Sequence, residues 1–562
     1  MVNLIWLETS TLGSSGLLRT EPFPRLNTTD PKMSFISGIF SSRSGLFLPL
    51  LFAAFLLSAC TNKIGPDYEA PELDVEKQWL EDGDPHLKLT EGDFREWWKI
   101  FKDPVLNTFI DKAYAQNLKL RAAGLRILQA RAQLGVAIGD LYPQKQDFNG
   151  TLEDIRTPFI KKLGLGDSLL YSRIGFSANW ELDFWGKFRR AIESSDASLL
   201  ASVAEYDNTL LTLIADVANA YVQIRTYEKR LQIAENNVAI QMDSVRISTS
   251  KFKGGSSTQR DVEQAKTILA STQASIPQIR AKIRQYKNAL SLLLGIPPDR
   301  FDHVSGFAKG DGAIPSPPLQ VVVGIPQDLI RRRPDVRQAE LTAVAASAKI
   351  GVAKANLYPA FSLSGSFGFI GSNATGSSLS DMFGWGNQFY RFGPAVQWNL
   401  FNYGQITNQV RGQDAVFQEA LVNYQQRVLQ AQKEAEDSLI GFLMSQNSAE
   451  YLAQSTAAAQ RSLDLAQLQY TEGITDFTTV LTAEQELLKQ QDNFAQTLGL
   501  IASSLIDVYR NLGGGWQIRE GKEFVPEPIK EAMAKRTHWG DLLSPGKIPE
   551  ERPTSFIRAP DW

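Results

Sequence analysis

Only a few residues in this chain have types and spacings that could support chemistry. The 562 residues include three histidines, His86, His303 and His538, whose spacings match no helical metal-binding pair. The HExxH, Walker and Gly-x-Ser-x-Gly patterns of common enzymes do not occur. A single cysteine, Cys60, excludes an internal disulfide, a thiolate metal cluster and a CxxC redox pair. We therefore expect no catalytic residues, no metal site and no non-covalent cofactor.

Cys60 ends an apolar run, and its neighbours suggest covalent modification. The run LFLPLLFAAFLLSACTN, residues 46–62, is shorter than the ~20 residues that a membrane-spanning helix needs. Its length favours a secretory signal over residues 1–59. Leu-Ser-Ala-Cys resembles the lipobox of bacterial lipoproteins, which implies a covalent lipid on Cys60, and Thr61 in place of an aspartate implies the outer membrane. A short core helix with a buried cysteine is the alternative.

The first 32 residues do not fit a signal peptide. They contain Glu8, Glu21 and Asp30, which the positively charged start of a signal should lack. We therefore expect translation to start at Met33. Residues 60–103 would then form the lipidated N-terminal segment of the mature protein.

The rest of the chain consists of two copies of one unit. The segment GVAIGDLYP at 135–143 returns as GVAKANLYP, 216 residues later. Matches 218 residues apart follow; they pair Trp180 with Trp398, Leu182 with Leu400, Gly186 with Gly404, Phe252 with Tyr470, Gly255 with Gly473, Ala265 with Ala483 and Gly295 with Gly513. A match of this length predicts one supersecondary unit used twice. We place the units at 104–295 and 326–513, with a linker at 296–325.

Each unit begins with a helix, at 104–139 and 334–357, that a Tyr-Pro pair stops. A strand pair with alternating apolar and polar residues follows, at about 144–184 and about 360–401. A soluble, half-buried sheet would show the same alternation. In lipid, however, open sheet edges do not survive and barrels begin at ~8 strands, so four strands would require several chains to share one barrel.

Long helices follow the strands. Residues 187–253 contain neither Gly nor Pro, and a helix of that length reaches ~100 Å, which indicates coiled-coil or tube-like packing. The chain reverses at two tips, 251–261 and 469–479, where Gly ends one helix and Ser, Thr or Asp begins the next. The helices that return from the tips run to Gly295 and Gly513, and Pro277 predicts a kink in the first.

Several motifs in this order resemble the outer-membrane factors of tripartite efflux systems, in the lipoprotein branch that works with resistance-nodulation-division pumps. They are IGPDYEAP at 64–71, WWKIFKDPVLNTFIDKAYAQNLKL at 97–120, RRRPDVRQAE at 331–340, the two LYP stops and the two tips. The resemblance implies a mixed α and β membrane protein: a homotrimer whose 12-stranded transmembrane β-barrel, with four strands from each protomer, continues into a long periplasmic α-helical barrel.

The resemblance also implies partners and a mode of action. The protein would conduct small molecules, such as drugs or other toxic compounds, passively through a gated duct in the outer membrane of a Gram-negative bacterium. The tips near Gly254, Gly255 and Gly473 would contact a periplasmic adaptor protein, which would connect the duct to an inner-membrane resistance-nodulation-division transporter.

The residues that would close such a gate differ from the pattern of related channels. Related channels place aspartates shortly after the Tyr-x-x-Gly of the second tip, where this chain has Thr479 and Thr482. Tyr470 of this motif, Asp261 in the first copy and Asp476 nearby are therefore the candidate gate residues. A helix cap or a solvated helix face explains the two aspartates equally well.

Alternatives remain for function and for two segments. A channel for type I protein secretion keeps the fold, whereas a periplasmic coiled-coil scaffold lipoprotein explains the helices but not the strands. The formal net charge of −3 gives no reason to expect a nucleic-acid partner. The arginines of RRRPD fit either carboxylates of neighbouring protomers or a solvated charge run. The Pro-rich tail at 514–562 predicts an extended segment that wraps the helices, or disorder.

Overall fold

A computed structural model describes residues 63–73, 75–88, 90, 92–164, 167–303, 313–318, 320–324, 332–373 and 379–544. The predicted signal region, Met33, Cys60, Arg331 and residues 545–562 lie outside these ranges. Within them, the order helix, two strands, long helix, turn and helix occurs twice, which confirms the internal duplication.

The first half of the chain contains strands β1 (Leu87–Lys88), β2 (Lys145–Ile155) and β3 (Leu169–Glu181), and helices α1 (Pro104–Gln116), α2 (Leu118–Gly139), α3 (Pro158–Lys162), α4 (Lys187–Lys253) and α5 (Gln259–Leu293). The second half contains strands β4 (Val321–Val322), β5 (Ala360–Ser372) and β6 (Gln388–Gln397), and helices α6 (Pro334–Ala355), α7 (Gln405–Thr471), α8 (Phe477–Asn511) and α9 (Glu527–Ala534). Helices α4 and α7 each have 67 residues. α5 continues as a helix through Pro277.

Some elements differ from the sequence-based prediction. The helix expected at 104–139 is broken at Asn117, whose side chain accepts a hydrogen bond from the Leu120 amide at 2.9 Å and so starts a second helix. The strands β1 and β4 were not predicted, because two residues are too short for a periodic pattern, and they pair in parallel. In the described part of the tail, 514–544, the predicted packing on the helices is confirmed, because this segment lies on α2. The segment is neither disordered nor extended throughout, since it includes α9.

The helices pack around the two long ones. α4 lies against α2, α5, α6 and α8, and α7 lies against α6 and α8. The main hydrophobic core joins α1, α4 and α8 through residues such as Phe109, Tyr221 and Leu505, all almost fully buried. Among the described residues, no helix is both long enough and apolar enough to cross a membrane.

The four longer strands form one antiparallel sheet in the order β2-β3-β5-β6. The strand pair of the first unit therefore joins that of the second through β3 and β5. Within the described residues, β2 and β6 each pair on one side only and form the two edges of the sheet.

Candidate functional site at the sheet and the helical tips

The two hairpin tips have the same backbone structure. At the first tip the Ser256 amide donates to the Lys251 carbonyl at 2.9 Å, and at the second the Ile474 amide donates to the Gln469 carbonyl at 2.8 Å. These 6→1 hydrogen bonds end α4 and α7 in the same way. The duplication therefore extends to the turn geometry.

Two of the three glycines predicted to contact an adaptor are required by this turn. Gly255 has φ of 73° and Gly473 has φ of 76°, in the left-handed region that costs a residue with a side chain about 1 kcal/mol or more. Gly254 has φ of −82°, which any residue can adopt. All three glycines are exposed at the tips.

The candidate gate aspartates are helix caps. Asp261 accepts hydrogen bonds from the Thr258 amide at 3.2 Å and the Ser257 hydroxyl at 2.9 Å, and with Thr258 it forms a capping box that starts α5. Burial alone would raise the pKa of Asp261, but these hydrogen bonds lower it below its usual value. Asp476 caps α8 by accepting from the Thr479 amide at 3.1 Å.

Tyr470 lies between two helical hairpins, one formed by α4 and α5 and the other by α7 and α8. Its ring is buried against Phe477, with 5.0 Å between ring centroids, and its hydroxyl has no hydrogen-bond partner among the described residues. Lys251 of the first tip places its ammonium 4.3 Å above this ring and donates to the carbonyls of Tyr470 and, at 3.2 Å, of Thr471. Lys251 thus caps the end of α7 from the other hairpin. No local sequence pattern predicts this link, because its partners are 219 residues apart.

The threonines at the positions where related channels carry aspartates are exposed. The Thr479 hydroxyl donates to Asp476 at 3.0 Å, and the Thr482 hydroxyl donates to the Thr478 carbonyl at 2.9 Å. Both hydroxyls are therefore used within the first turns of α8. The described residues contain no group of three or more His, Cys, Asp or Glu side chains arranged to hold a metal ion.

The sheet has one aromatic face. The register places four residues opposite one another across the strands; in order they are Phe148, Phe176, Phe367 and Tyr390. All four are exposed, and Tyr390 has 79% of its surface accessible. The adjacent row, on the opposite face, consists of Asp147, Ser177, Ser366 and Arg391. One face of the sheet is therefore suited to an apolar environment and the other to water.

Tryptophans join this sheet to the helices in both units. The Trp180 indole donates to the Leu141 carbonyl at 3.1 Å, and the equivalent Trp398 donates to the Leu357 carbonyl at 3.0 Å. Both acceptors belong to the LYP motifs that stop α2 and α6. The repeated LYP and Trp motifs are therefore two halves of one junction.

The segment after Cys60 is held at the same junction. The Ile64 amide donates to the Trp185 carbonyl at 3.0 Å, and the buried Arg190 donates to the carbonyls of Ile64 at 3.2 Å and Gly65 at 3.1 Å. The start of the IGPDYEAP motif thus packs where strand β3 leads into α4.

The RRRPD motif forms an ion-pair network within the chain. Arg333 is buried and donates to Asp335 at 2.8 Å, to Glu434 at 2.6 Å and to the Asn511 carbonyl at 3.0 Å. Arg427 also binds Asp335. For Arg333, both sequence interpretations, a solvated charge and a contact with another protomer, are wrong, because its partners lie on α6, α7 and α8 of the same chain.

Comparison with known proteins identifies a matching family, related sequences and a similar solved structure. A family described as "Outer membrane efflux protein" matches residues 109–296 and 325–514. "Nodulation protein T" of Rhizobium leguminosarum bv. trifolii is 30% identical over 80% of this chain and 92% of its own length. "Pyoverdine export outer membrane protein OpmQ" of Pseudomonas aeruginosa is 28% identical over 84% of this chain and 97% of its own. The solved structure of the outer-membrane channel OprN superimposes with a TM-score of 0.74 at 30% identity, covering 81% of this chain and 99% of that one.

Proposed function

Because the chain belongs to the outer membrane efflux protein family, we propose that it forms the outer-membrane duct of a tripartite efflux pump, assembled from three copies of the chain. Its location in the outer membrane and its part in efflux follow from the family. Small molecules would pass through the duct without chemical change. The single observation that carries the proposal is the four-stranded sheet with one aromatic face and two open edges.

The open edges require other copies of the chain. In lipid an unpaired strand edge leaves backbone amides and carbonyls without partners, at several kcal/mol for each group. Four strands are also about half of the smallest known barrels. If β6 of one protomer pairs with β2 of the next, three chains close a barrel of about 12 strands with the aromatic face toward lipid.

Helix α7 supplies a second surface for assembly. It buries one apolar face within the chain, yet it also exposes Val422, Leu429, Ile440, Met444, Tyr451, Leu465 and Leu468. At 3.6 residues per turn these positions lie within about a third of the helix circumference. An exposed apolar stripe of this length indicates a protein partner. A helix of a neighbouring protomer would cover it and extend the ring of helices below the barrel.

The tips are the proposed adaptor contact and gate. Phe252 and Ile474 expose apolar side chains beside Gly255 and Gly473, which gives each tip an apolar contact point. Asp261 and Asp476 hold the two turns in shape, and Tyr470 with Lys251 holds one hairpin against the other. An adaptor that binds the tips would separate the hairpins by breaking the contact between Lys251 and Tyr470. The pump behind the adaptor is, by the same proposal, a resistance-nodulation-division transporter.

The lipid on Cys60 is also a proposal. The Leu-Ser-Ala-Cys sequence supports it, as does the attachment of the following residues at the junction of sheet and helices. The test is metabolic labelling with palmitate. The native protein should incorporate label and a Cys60→Ala variant should not; label retained by the variant would contradict the assignment.

The main experiment measures assembly and conduction on the full chain. Protein extracted from outer membranes should run as a heat-resistant trimer in mild detergent and should pass ionic current across a planar bilayer. A deletion strain should become sensitive to a panel of dyes, detergents, antibiotics and metal ions, with recovery on complementation. A monomer in detergent with no current, or a strain defective only in secreting a protein, would contradict the proposal.

A further inference from the structure

A buried polar seam runs along α4 near the tips. Asn237, Gln241, Ser244 and Ser248 follow one another at spacings of four, three and four residues, and each is at most 3% exposed. This is the spacing of the inward positions of a coiled coil, which are normally apolar. The seam faces α8, where Asn237 donates to Gln491 at 2.8 Å and Ser244 donates to Glu484.

The seam is weaker than the rest of the α4–α8 contact. Within the described part of the chain, neither the amide nitrogen nor the oxygen of Gln241 has a hydrogen-bond partner, although the residue is 1% exposed. A buried polar group without a partner costs about 1–3 kcal/mol. Farther from the tips the same two helices belong to the main apolar core, through residues such as Val222 and Leu505. At the tip end the polar seam is accompanied only by a smaller apolar cluster, which includes Leu481 and Leu487 and contacts Val245, so the helices are held less firmly there than in the main core.

Glu484 is the only carboxylic acid in this seam among the described residues, and it lacks a cation. It is 1% exposed and lies between the buried residues Leu481 and Leu487. Burial raises the pKa of Glu484, and the hydrogen bond from Ser244 lowers it by a smaller amount. The protonated carboxyl can keep this hydrogen bond, whereas the ionised form is buried with no counter-charge among the described residues.

Several charged groups on the surrounding helices have partners other than Glu484. They are Asp243 with Arg246 and Lys251 with the Tyr470 carbonyl on α4, Asp261 with Ser257 and Glu263 with Lys266 on α5, Asp464 with Gln460 on α7, and Asp476 with Thr479 and Glu486 with Lys489 on α8. None of them contributes to the shift at Glu484, whose causes are burial and Ser244.

We propose that Glu484 and the α4 seam form a proton-controlled latch that holds the two hairpin tips together and loosens when Glu484 ionises. Because its pKa is raised in the closed structure, the stabilisation is complete below the ordinary glutamate value of 4.5 and is lost as pH rises through the raised value. Acid therefore holds the tips closed, and neutral pH favours their separation. The effect on conduction rests on the proposed function, whereas the effect on helix packing does not.

The test compares two glutamates on one helix. Glu484→Gln keeps the shape and the hydrogen bond without the charge, and Glu486→Gln removes an exposed charge two residues away. Hydrogen exchange at residues 244–253, corrected for intrinsic rates, is measured in detergent at about pH 5 and about pH 7.5. In the native protein and the Glu486→Gln variant, protection should fall at the higher pH by about tenfold for each pKa unit of the shift. In Glu484→Gln it should stay high at both values.

A third variant and a second readout separate the possible failures. Ser244→Ala removes the bond that lowers the pKa, so its loss of protection should continue to higher pH, and be larger in total, than in the native protein. Current across planar bilayers requires separated tips, so it should rise with pH where protection falls. It should rise in the native protein and Glu486→Gln, rise up to higher pH in Ser244→Ala, and stay low in Glu484→Gln. Equal pH dependence in native protein and Glu484→Gln would overturn the latch even if the channel conducts. Absence of current from the native protein would overturn the proposed function, and the exchange data would still decide on the latch.

Discussion

At the scale of single residues, a tip turn depends on one glycine and not on its neighbour. Gly255→Ala should lower stability by about 1 kcal/mol, because alanine is strained at a φ of 73° even though no atom lies within 4 Å of its new methyl group. Gly254→Ala is the matched control, since its φ of −82° suits alanine and it should not lower stability. Hydrogen exchange at the tip amides measures both. Equal effects would mean that the turn is not fixed by its backbone.

The buried ion pair at the start of α6 gives a pH-dependent prediction. Burial alone would raise the pKa of Asp335, but Arg333 and Arg427 lower it below its usual value. The pair therefore stabilises the protein above the ordinary aspartate value of 3.8, and this stability is lost as pH falls through the lowered value.

Asp335→Asn should cost about 3 kcal/mol at neutral pH, because it leaves Arg333 buried without its main charge partner. Asp437→Asn breaks the exposed pair with Lys433, which solvent screens, and should have a much smaller effect on stability. Thermal unfolding in detergent distinguishes them. The variant at 335 should also lose part of the acid sensitivity of the native protein, and an unchanged acid profile would argue against the network.

At the scale of the elements, the sheet predicts which neighbouring residues face lipid. Phe176→Arg places a charge in the aromatic row, at a cost of about 2–4 kcal/mol near the middle of a bilayer, and should reduce the amount of protein in the outer membrane. Ser177→Arg, one residue later and on the polar face, should be accepted. Fractionation with immunoblotting gives the result, and the reverse order would show that the faces are assigned wrongly.

Local sequence patterns predict most of these elements. The stretch without Gly or Pro at 187–253 coincides with α4, and the tip glycines lie at its end and at the equivalent end of α7. Proline content did not predict α9 in the tail, because a helix of eight residues is too short to stand out among prolines, and Met533 packs it on Leu128 of α2. Lys251 and Glu484 could not be found from sequence, since each acts on a residue more than 200 positions away and no local pattern records that distance.

At the scale of the whole molecule, assembly should depend on the exposed stripe of α7. Leu429→Lys removes an apolar contact worth about 1.5–3 kcal/mol in each protomer, and a symmetric ring repeats the loss at every interface. Met242 of α4 has nearly the same exposure, 56% against 55% for Leu429, but lies outside the stripe.

The oligomer formed by the Leu429→Lys variant should therefore dissociate at a lower temperature than that of Met242→Lys. Native gels after graded heating, with far-ultraviolet dichroism to show that the helices persist, provide the measurement. If the two variants dissociate together, the stripe is not an interface.

The open edges of the sheet also bear on inheritance. When a cell makes a sound and a defective version of the chain in equal amounts, and both can still join, random mixing leaves only about one in eight three-membered rings wholly sound. An allele whose product joins the ring but does not conduct should thus be dominant over the normal gene. An allele whose product cannot pair through its edge strands, β2 and β6, should be recessive.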